Sequence, residues 1–155
     1  MSVTANQIED FSAGMRGVVI GRENTAYDEA RTLYNAMIDK RPFLIAQCRD
    51  VADVISAVNF ARENKLEVAI RGGGHNGPGL GSVDDGLVID LSLMKGVRAD
   101  PQAKTVQAQG GCTWVDVDHA THAFGMATPS GIVSTTGVGG LTLGGGMGNM
   151  TRSFG

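Results

Sequence analysis

Long apolar runs, aromatic side chains, surplus positive charge and closely spaced cysteines are all scarce in this chain. No apolar stretch approaches the ~18 residues that a membrane-crossing helix needs, so a transmembrane helix is excluded and no membrane partner is expected. Lysine and arginine number 13 against 16 acidic residues, and the net charge of -3 lacks the basic footprint of a nucleic-acid binder. Only two cysteines occur, Cys48 and Cys112, with no Cys-x-x-Cys or Cys/His spacing, which argues against structural zinc. Residues 1–11 carry neither a basic nor an apolar signal region, so a cytoplasmic location with reduced thiols is the expectation. A small molecule remains as the expected partner.

Glycine is the residue in excess. There are 23 in 155 residues, and only Gly14, Gly17 and Gly21 precede residue 71. The rest are clustered without a fixed period, which excludes collagen and solenoids. Clusters of this kind mark turns with positive φ or backbone that approaches a ligand closely.

Around those clusters the pattern predicts a single domain of α+β class. Residues 6–37 read as two short helices, the second capped by Asn24 or Thr25 with Ala26, Ala30, Leu33, Tyr34 and Met37 on one face. Residues 43–46 read as a buried strand. Asp50 then caps a helix whose apolar face is Val51, Val54, Ile55, Val58 and Ala61, and residues 68–70 form a second strand, closing a βαβ unit. Its parallel strands open the loop after Ile70 at the carboxyl edge of the sheet, where open α/β folds bind ligands. Residues 87–90, 96–99 and 104–108 suggest an antiparallel segment. Thr113, with Asp116 at the capping-box position, starts a helix that buries Trp114, Val117, Thr121 and Phe124 and ends at Gly125. The stretch from Ala127 onward reads as turns without a clear helix. His119 and His122 fall on the polar face of the preceding helix and are read as solvated, so no metal site is expected.

Directly after the second strand, Arg71-Gly72-Gly73-Gly74-His75-Asn76-Gly77 contains the spacing GxGxxG. A Rossmann fingerprint needs a helix to begin inside that motif, and Pro78, Gly79 and Gly81 forbid one. No Gly-Lys-Ser/Thr occurs, so a Walker loop is absent as well. The sensible reading is a nest of backbone amides turned toward an anion, with Arg71 as countercharge. Residues 137–146 offer the same chemistry a second time, and two nests could embrace one extended dinucleotide.

Taken in order, the first glycine motif, Gly111-Cys112-Thr113-Trp114, Pro129-Ser130-Gly131 and residues 137–146 resemble the FAD-binding half of the berberine-bridge-enzyme-like flavoprotein oxidases, which have the PCMH-type, or vanillyl-alcohol-oxidase-type, FAD-binding fold. The resemblance implies an α+β domain over residues 35–155, with a βαβ-containing subdomain and part of a second antiparallel one, preceded by N-terminal helices over residues 1–34. It implies FAD held by Arg71, Gly72, Gly73, Gly74, His75, Asn76, Gly81, Gly111, Cys112, Val117, Gly131, Val133, Thr135, Gly137, Gly139, Gly140 and Gly144. By the same resemblance, His75 would be bonded to the flavin 8α-methyl and Cys112, whose place before a helix would favour a thiolate, to flavin carbon 6. The implied activity is hydride transfer from an alcohol or sugar to flavin, with reoxidation by oxygen; the alternatives are a dehydrogenase with monocovalent or noncovalent FAD and another acceptor, or a non-catalytic fragment or anion-binding module. Relatives continue into a substrate domain that carries the catalytic base. The chain is therefore expected to be an N-terminal piece, inactive alone and with no catalytic residue of its own.

Overall fold

The segment Leu87–Asp90 explains the architecture, because Leu-Val-Ile-Asp has no polar alternation and both of its faces must be covered. The computed structural model describes residues 3–154; Met1, Ser2 and Gly155, at the outer limits of the two expected segments, lie outside the described residues. In it Leu87–Asp90 (β4) is buried at every position and sits inside a four-stranded sheet. The sheet order is β1 (Val18–Gly21), β2 (Leu44–Gln47), β4 and β3 (Val68–Arg71). β2 and β3 both run parallel to β4, and β1 is antiparallel to β2. The expected βαβ unit is present, with β4 inserted between its two strands. This corrects the assignment of residues 87–90 to an antiparallel segment. Of the three segments expected there, two remain as an antiparallel pair, β5 (Val97–Asp100) and β6 (Thr105–Ala108), turned at Asp100, whose carboxylate accepts from the amides of Gln102 and Ala103.

Alternation along the central strands sends side chains into two cores. Leu44, Ala46, Leu87 and Ile89 meet Phe11 of α1 (Ala5–Ala13) and Ala57, Phe60 and Ala61 of α3 (Val51–Asn64). Phe11 and Phe60 stack with centroids 4.2 Å apart. On the other face, Ile45, Val88 and Ala69 pack with Ile20, Val83 and Tyr27. Tyr27 opens a single helical turn, α2 (Tyr27–Ala30), and its hydroxyl donates to the Pro42 carbonyl at 2.7 Å.

Two expectations about helix faces need correction. The second N-terminal helix shrinks to α2, because the chain leaves the helix at Arg31 and Leu33 to Met37 run as irregular turns and bends; Met37 is 90% exposed. In α3 the buried face is Asp53, Ala57, Phe60 and Ala61, while Val51, Ile55 and Val58 face outward. The cause is Asp53, whose fully enclosed carboxylate accepts from the amides of Arg16, Gly17 and Arg49 at 2.8–2.9 Å and so rotates the helix. Asp50 does cap α3, accepting from the Asp53 amide.

Later in the chain, α4 (Trp114–His122) begins at Thr113, whose amide and hydroxyl both donate to Asp116 Oδ2, and buries Trp114, Val117 and Thr121 as expected. Phe124 lies past its end and is half-exposed. The turn-only reading of the last segment is overturned by α5 (Val138–Gly144) and the short α6 (Thr151–Phe154). Among the described residues no helix is long and apolar enough to cross a membrane, and no group of three potential metal ligands gathers.

Burial pushes the Asp53 carboxyl up, but its backbone donors outweigh that and hold it below the usual carboxylate range. A depressed folded-state value means the group stabilises the fold above the unfolded pKa of about 3.9, and the contribution is lost as pH falls through the folded value. Asp53→Asn puts an NH2 where an acceptor oxygen is needed. It is expected to cost about 2–3 kcal/mol in urea unfolding at pH 7, with the difference from wild type shrinking on acidification.

Candidate functional site

The carboxyl edge of the parallel sheet ends in a polar row. Gln47, Asp90 and Arg71 are register partners on β2, β4 and β3. The Arg71 guanidinium is buried and donates to Asp90 Oδ2 at 2.9 Å and to the carbonyls of Ala30 at 2.6 Å and Thr32. Asp90 also accepts from the Ser92 amide. Arg71 thus makes three hydrogen bonds to its own fold while lining both clefts. It pins the N-terminal segment to the sheet, directly beneath the glycine loop.

Above that row the separate glycine motifs meet. A Cβ on Gly73 would lie 2.4 Å from the Gly137 nitrogen, and one on Gly137 would lie 2.3 Å from the Gly73 nitrogen. A Cβ on Gly72 would stand 3.1 Å from the Gly110 carbonyl oxygen, and one on Gly111 would overlap the Leu91 carbonyl. Thr113 and Gly137 form an isolated antiparallel bridge, with Val138 donating to the Cys112 carbonyl and Trp114 to that of Thr136. The first motif is therefore clamped between the other two by backbone alone.

The loop leaving Arg71 keeps its shape through neighbours that spare its first amides. Gly74 has φ +70°, a conformation open to glycine. Asn76 closes the far side, its side-chain oxygen accepting from Leu80. Lys40 Nζ donates to the carbonyls of Gly79 and Ser82. The amides of Gly73, Gly74, His75 and Asn76 have no acceptor among the described residues. Four adjacent donors without protein partners suit an anionic ligand. Residues 137–146, in contrast, do not form the second nest. They contain α5, whose amides from Leu141 on are spent inside the helix or its cap.

Two clefts flank the loop. One, of about 330 Å³, is lined by Ile70, Arg71, Gly72, Gly73, Gly74, His75, Asn76, Leu80, Gly81, Thr136, Gly137, Gly140 and Leu141. The other, of about 430 Å³, lies toward Ile20, Ala30, Leu33 and Tyr34 and shares Arg71 to Gly74. Ile70 and Leu80, 62% and 68% exposed, give the first cleft apolar walls beside peptide donors, a combination that fits a flat heteroaromatic ring carrying an anion. A Cβ on Gly140 would meet no protein atom within 4 Å although the residue lines this cleft. Packing does not demand glycine there, whereas a bound ligand would.

His75 is held on three sides. Its Nε2 and Nδ1 lie 3.2 Å and 3.3 Å from the hydroxyls of Thr135 and Thr136. The Tyr34 ring stacks on it, with centroids 4.0 Å apart and planes 15° off parallel. Of these three partners only Thr135 was expected. Thr136 and Tyr34 carry no motif, and the contact with Tyr34 depends on the N-terminal segment folding back.

The remaining expected residues divide. Gly139 packs near the Gly110 carbonyl, and Gly131 and Val133 belong to the turn segment before α5. None of these three lines either cleft, nor do Gly111, Val117 and Gly144. Val117 is a core residue at 1% exposure. For Cys112 it is the expected thiolate that is corrected. Its thiol is fully enclosed and points at the carbonyls of Gly96 and Met94, 3.5 Å and 3.8 Å away, and burial pushes it up rather than toward a thiolate.

Comparison with known proteins gives this geometry a context. Residues 42–155 match the family described as FAD binding domain. Over 149 residues the chain is 38% identical to an FAD-linked oxidoreductase of Dictyostelium discoideum, covering 96% of this chain and 32% of that protein. The fold is similar to 6-hydroxy-D-nicotine oxidase from Arthrobacter nicotinovorans, with TM-score 0.89 and 33% identity over 91% of this chain and 31% of that one. It is similar also to BBE-like 1 from Physcomitrella patens, with TM-score 0.89 and 28% identity over 96% and 33%. The chain spans about a third of the length of these relatives.

Gly73 and Gly140 should respond oppositely to a methyl group. Gly73→Ala collides with backbone and is expected to cost about 3 kcal/mol or more in urea unfolding without ligand. Gly140→Ala fills open space in a helix and should be neutral or stabilising by up to about 1 kcal/mol, while lowering the amount of FAD loaded per chain, read from flavin absorbance of the purified protein.

Proposed function

The chain belongs to the FAD binding domain family, within the berberine-bridge-enzyme-like oxidoreductases of PCMH-type α+β fold, and from this premise we propose that it holds FAD in the two clefts with His75 as the sole covalent anchor. The supporting observation is the placement of His75. It lies in a loop of unpartnered amides, lines the cleft with apolar walls, and has both ring nitrogens beside hydroxyls. When bound, FAD would accept a hydride from a substrate C–H bond and be reoxidised by oxygen.

The residues have separable duties in this reading. The amides of Gly73 to Asn76 meet the diphosphate, where fixed N–H dipoles replace water. Ile70, Leu80 and Leu141 give the isoalloxazine an apolar seat. A neutral imidazole has one N–H and one lone pair, and a threonine hydroxyl can serve either, so Thr135 and Thr136 keep the ring in one orientation; bonding to the 8α carbon would require the lone-pair nitrogen to exchange its hydroxyl partner for that carbon. The bond would keep the flavin in the first cleft and raise its reduction potential, which favours hydride acceptance from a poor donor. The protein's part is to bind, aim and tune. The substrate class is a small alcohol or sugar, as the family resemblance implies. Oxygen as acceptor draws support from the relative named an oxidase. A substrate's proton would be taken by a group outside this chain, since His75 is used as the anchor and no other titratable side chain lines the first cleft except the ion-paired Arg71.

Intact mass after denaturation tests the anchor. The full chain expressed with ample FAD should carry one flavin mass, Cys112→Ala should keep it, and His75→Ala should lose it. Retention in His75→Ala, or loss in a folded Cys112→Ala, would overturn the single-anchor reading.

A further inference from the structure

We infer that Tyr34 is a positioning residue for His75, holding the imidazole plane so that the ring presents itself to one cleft only; this rests on the reading of His75 as the flavin anchor. The loop that carries His75 cannot set the ring's orientation by itself. Three glycines precede it, one of them with φ +70°, so the backbone there has little intrinsic stiffness. In-plane contacts to Thr135 and Thr136 fix where the nitrogens lie, but hydroxyls rotate and tolerate a tilted ring. A stacked aromatic face supplies the missing restraint, because tilting the imidazole would drive it into the tyrosine ring.

Tyr34 is built for that contact. It is 68% exposed, so it does not serve to fill the core. Its backbone amide donates to the Gly74 carbonyl at 3.2 Å, and the adjacent Asn35 side chain donates to the Gly77 carbonyl at 3.0 Å. The tyrosine segment is thus tied to the loop on both sides of His75. The position of Tyr34 also divides the site. Tyr34 lines the second cleft and His75 the first, so the stacked pair forms a partition between them. The flavin ring is directed to the first cleft and the rest of the dinucleotide to the second. The phenol hydroxyl has no assigned partner among the described residues, so the aromatic face is the functional part.

The test follows two signals in the full chain. The first is the rate of covalent flavin incorporation after adding FAD, read as intact mass of denatured samples for wild type, Tyr34→Phe, Tyr34→Leu and Tyr34→Ala. The second is the His75 Cε1 proton resonance in flavin-free protein, which a stacked ring shields. Tyr34→Phe is expected to match wild type in both. Tyr34→Leu and Tyr34→Ala should incorporate flavin about 3- to 10-fold more slowly, as loss of one aromatic pair implies, and shift the resonance downfield. Leucine keeps apolar bulk, so it decides the matter if the alanine variant does not fold. Wild-type incorporation rates with an unmoved resonance would overturn the role of Tyr34. If wild type takes up no flavin at all, the anchor reading fails, and the resonance alone then decides whether Tyr34 orients His75.

Discussion

Everything at this site depends on two peptide backbones touching where side chains would ordinarily keep them apart. Gly73 and Gly137 approach so closely that a methyl group on either would strike the other's main chain. That contact brings the loop after β3 against the strand-like turn before α5, and the bridge between Thr113 and Gly137 carries α4 into the same place. Without it, His75 would not lie beside Thr135 and Thr136, which are about 60 residues further along the chain. The excess of glycine therefore has two separate physical origins. At Gly72, Gly73, Gly111 and Gly137 it permits close passage of backbone, and at Gly140 it leaves space in a cleft.

Beneath that crossing, the buried Arg71–Asp90 pair plays a different part. A buried ion pair adds little net stability, yet removing one partner leaves a bare charge in the interior, at a cost of about 3–5 kcal/mol. Its value lies in geometry, because Arg71 also reaches the carbonyls of Ala30 and Thr32 and so locates the segment that delivers Tyr34. The sheet edge, the N-terminal segment and the glycine loop are joined through one guanidinium.

Local patterns made much of this visible beforehand. β2, α3, β3 and α4 follow from apolar runs and caps at Asp50 and Thr113, since those signals act within a few residues. The orientation of α3 was not legible. An aspartate normally marks the wet face, and the three amides that draw Asp53 inward come from the neighbouring loop and β1 approach. α5 escaped detection because Gly139 and Gly140 have poor helix propensity and the helix is held by tertiary bonds at its start. At the site, the glycines and His75 were readable as motif positions. The roles of Arg71 and Cys112 were not, because residue type does not reveal direction. The guanidinium turns toward Asp90 by strand register, and the thiol turns toward the carbonyls of Gly96 and Met94. Tyr34 carried no motif signal at all, as its contact crosses from a turn to a distant loop.

Two cations beside the glycine loop, Arg71 and Lys40, spend their hydrogen bonds on the fold itself, one on Asp90 and the carbonyls of Ala30 and Thr32, the other on the carbonyls of Gly79 and Ser82. The cleft lining offers four amides without acceptors among the described residues, beside an Arg71 already paired with Asp90, in a chain of net negative charge. Dipoles fixed by a rigid backbone act at short range, and they favour an anion seated within hydrogen-bond reach over one merely passing nearby. A lysine or arginine free of protein partners in the cleft would attract anions from further away but with less dependence on their shape. By pairing Arg71 and Lys40 with its own fold and leaving the loop amides without acceptors, the chain exchanges long-range attraction for positional selectivity. That suits a domain of the FAD-binding family, whose ligand carries its diphosphate at a fixed distance from its flat ring.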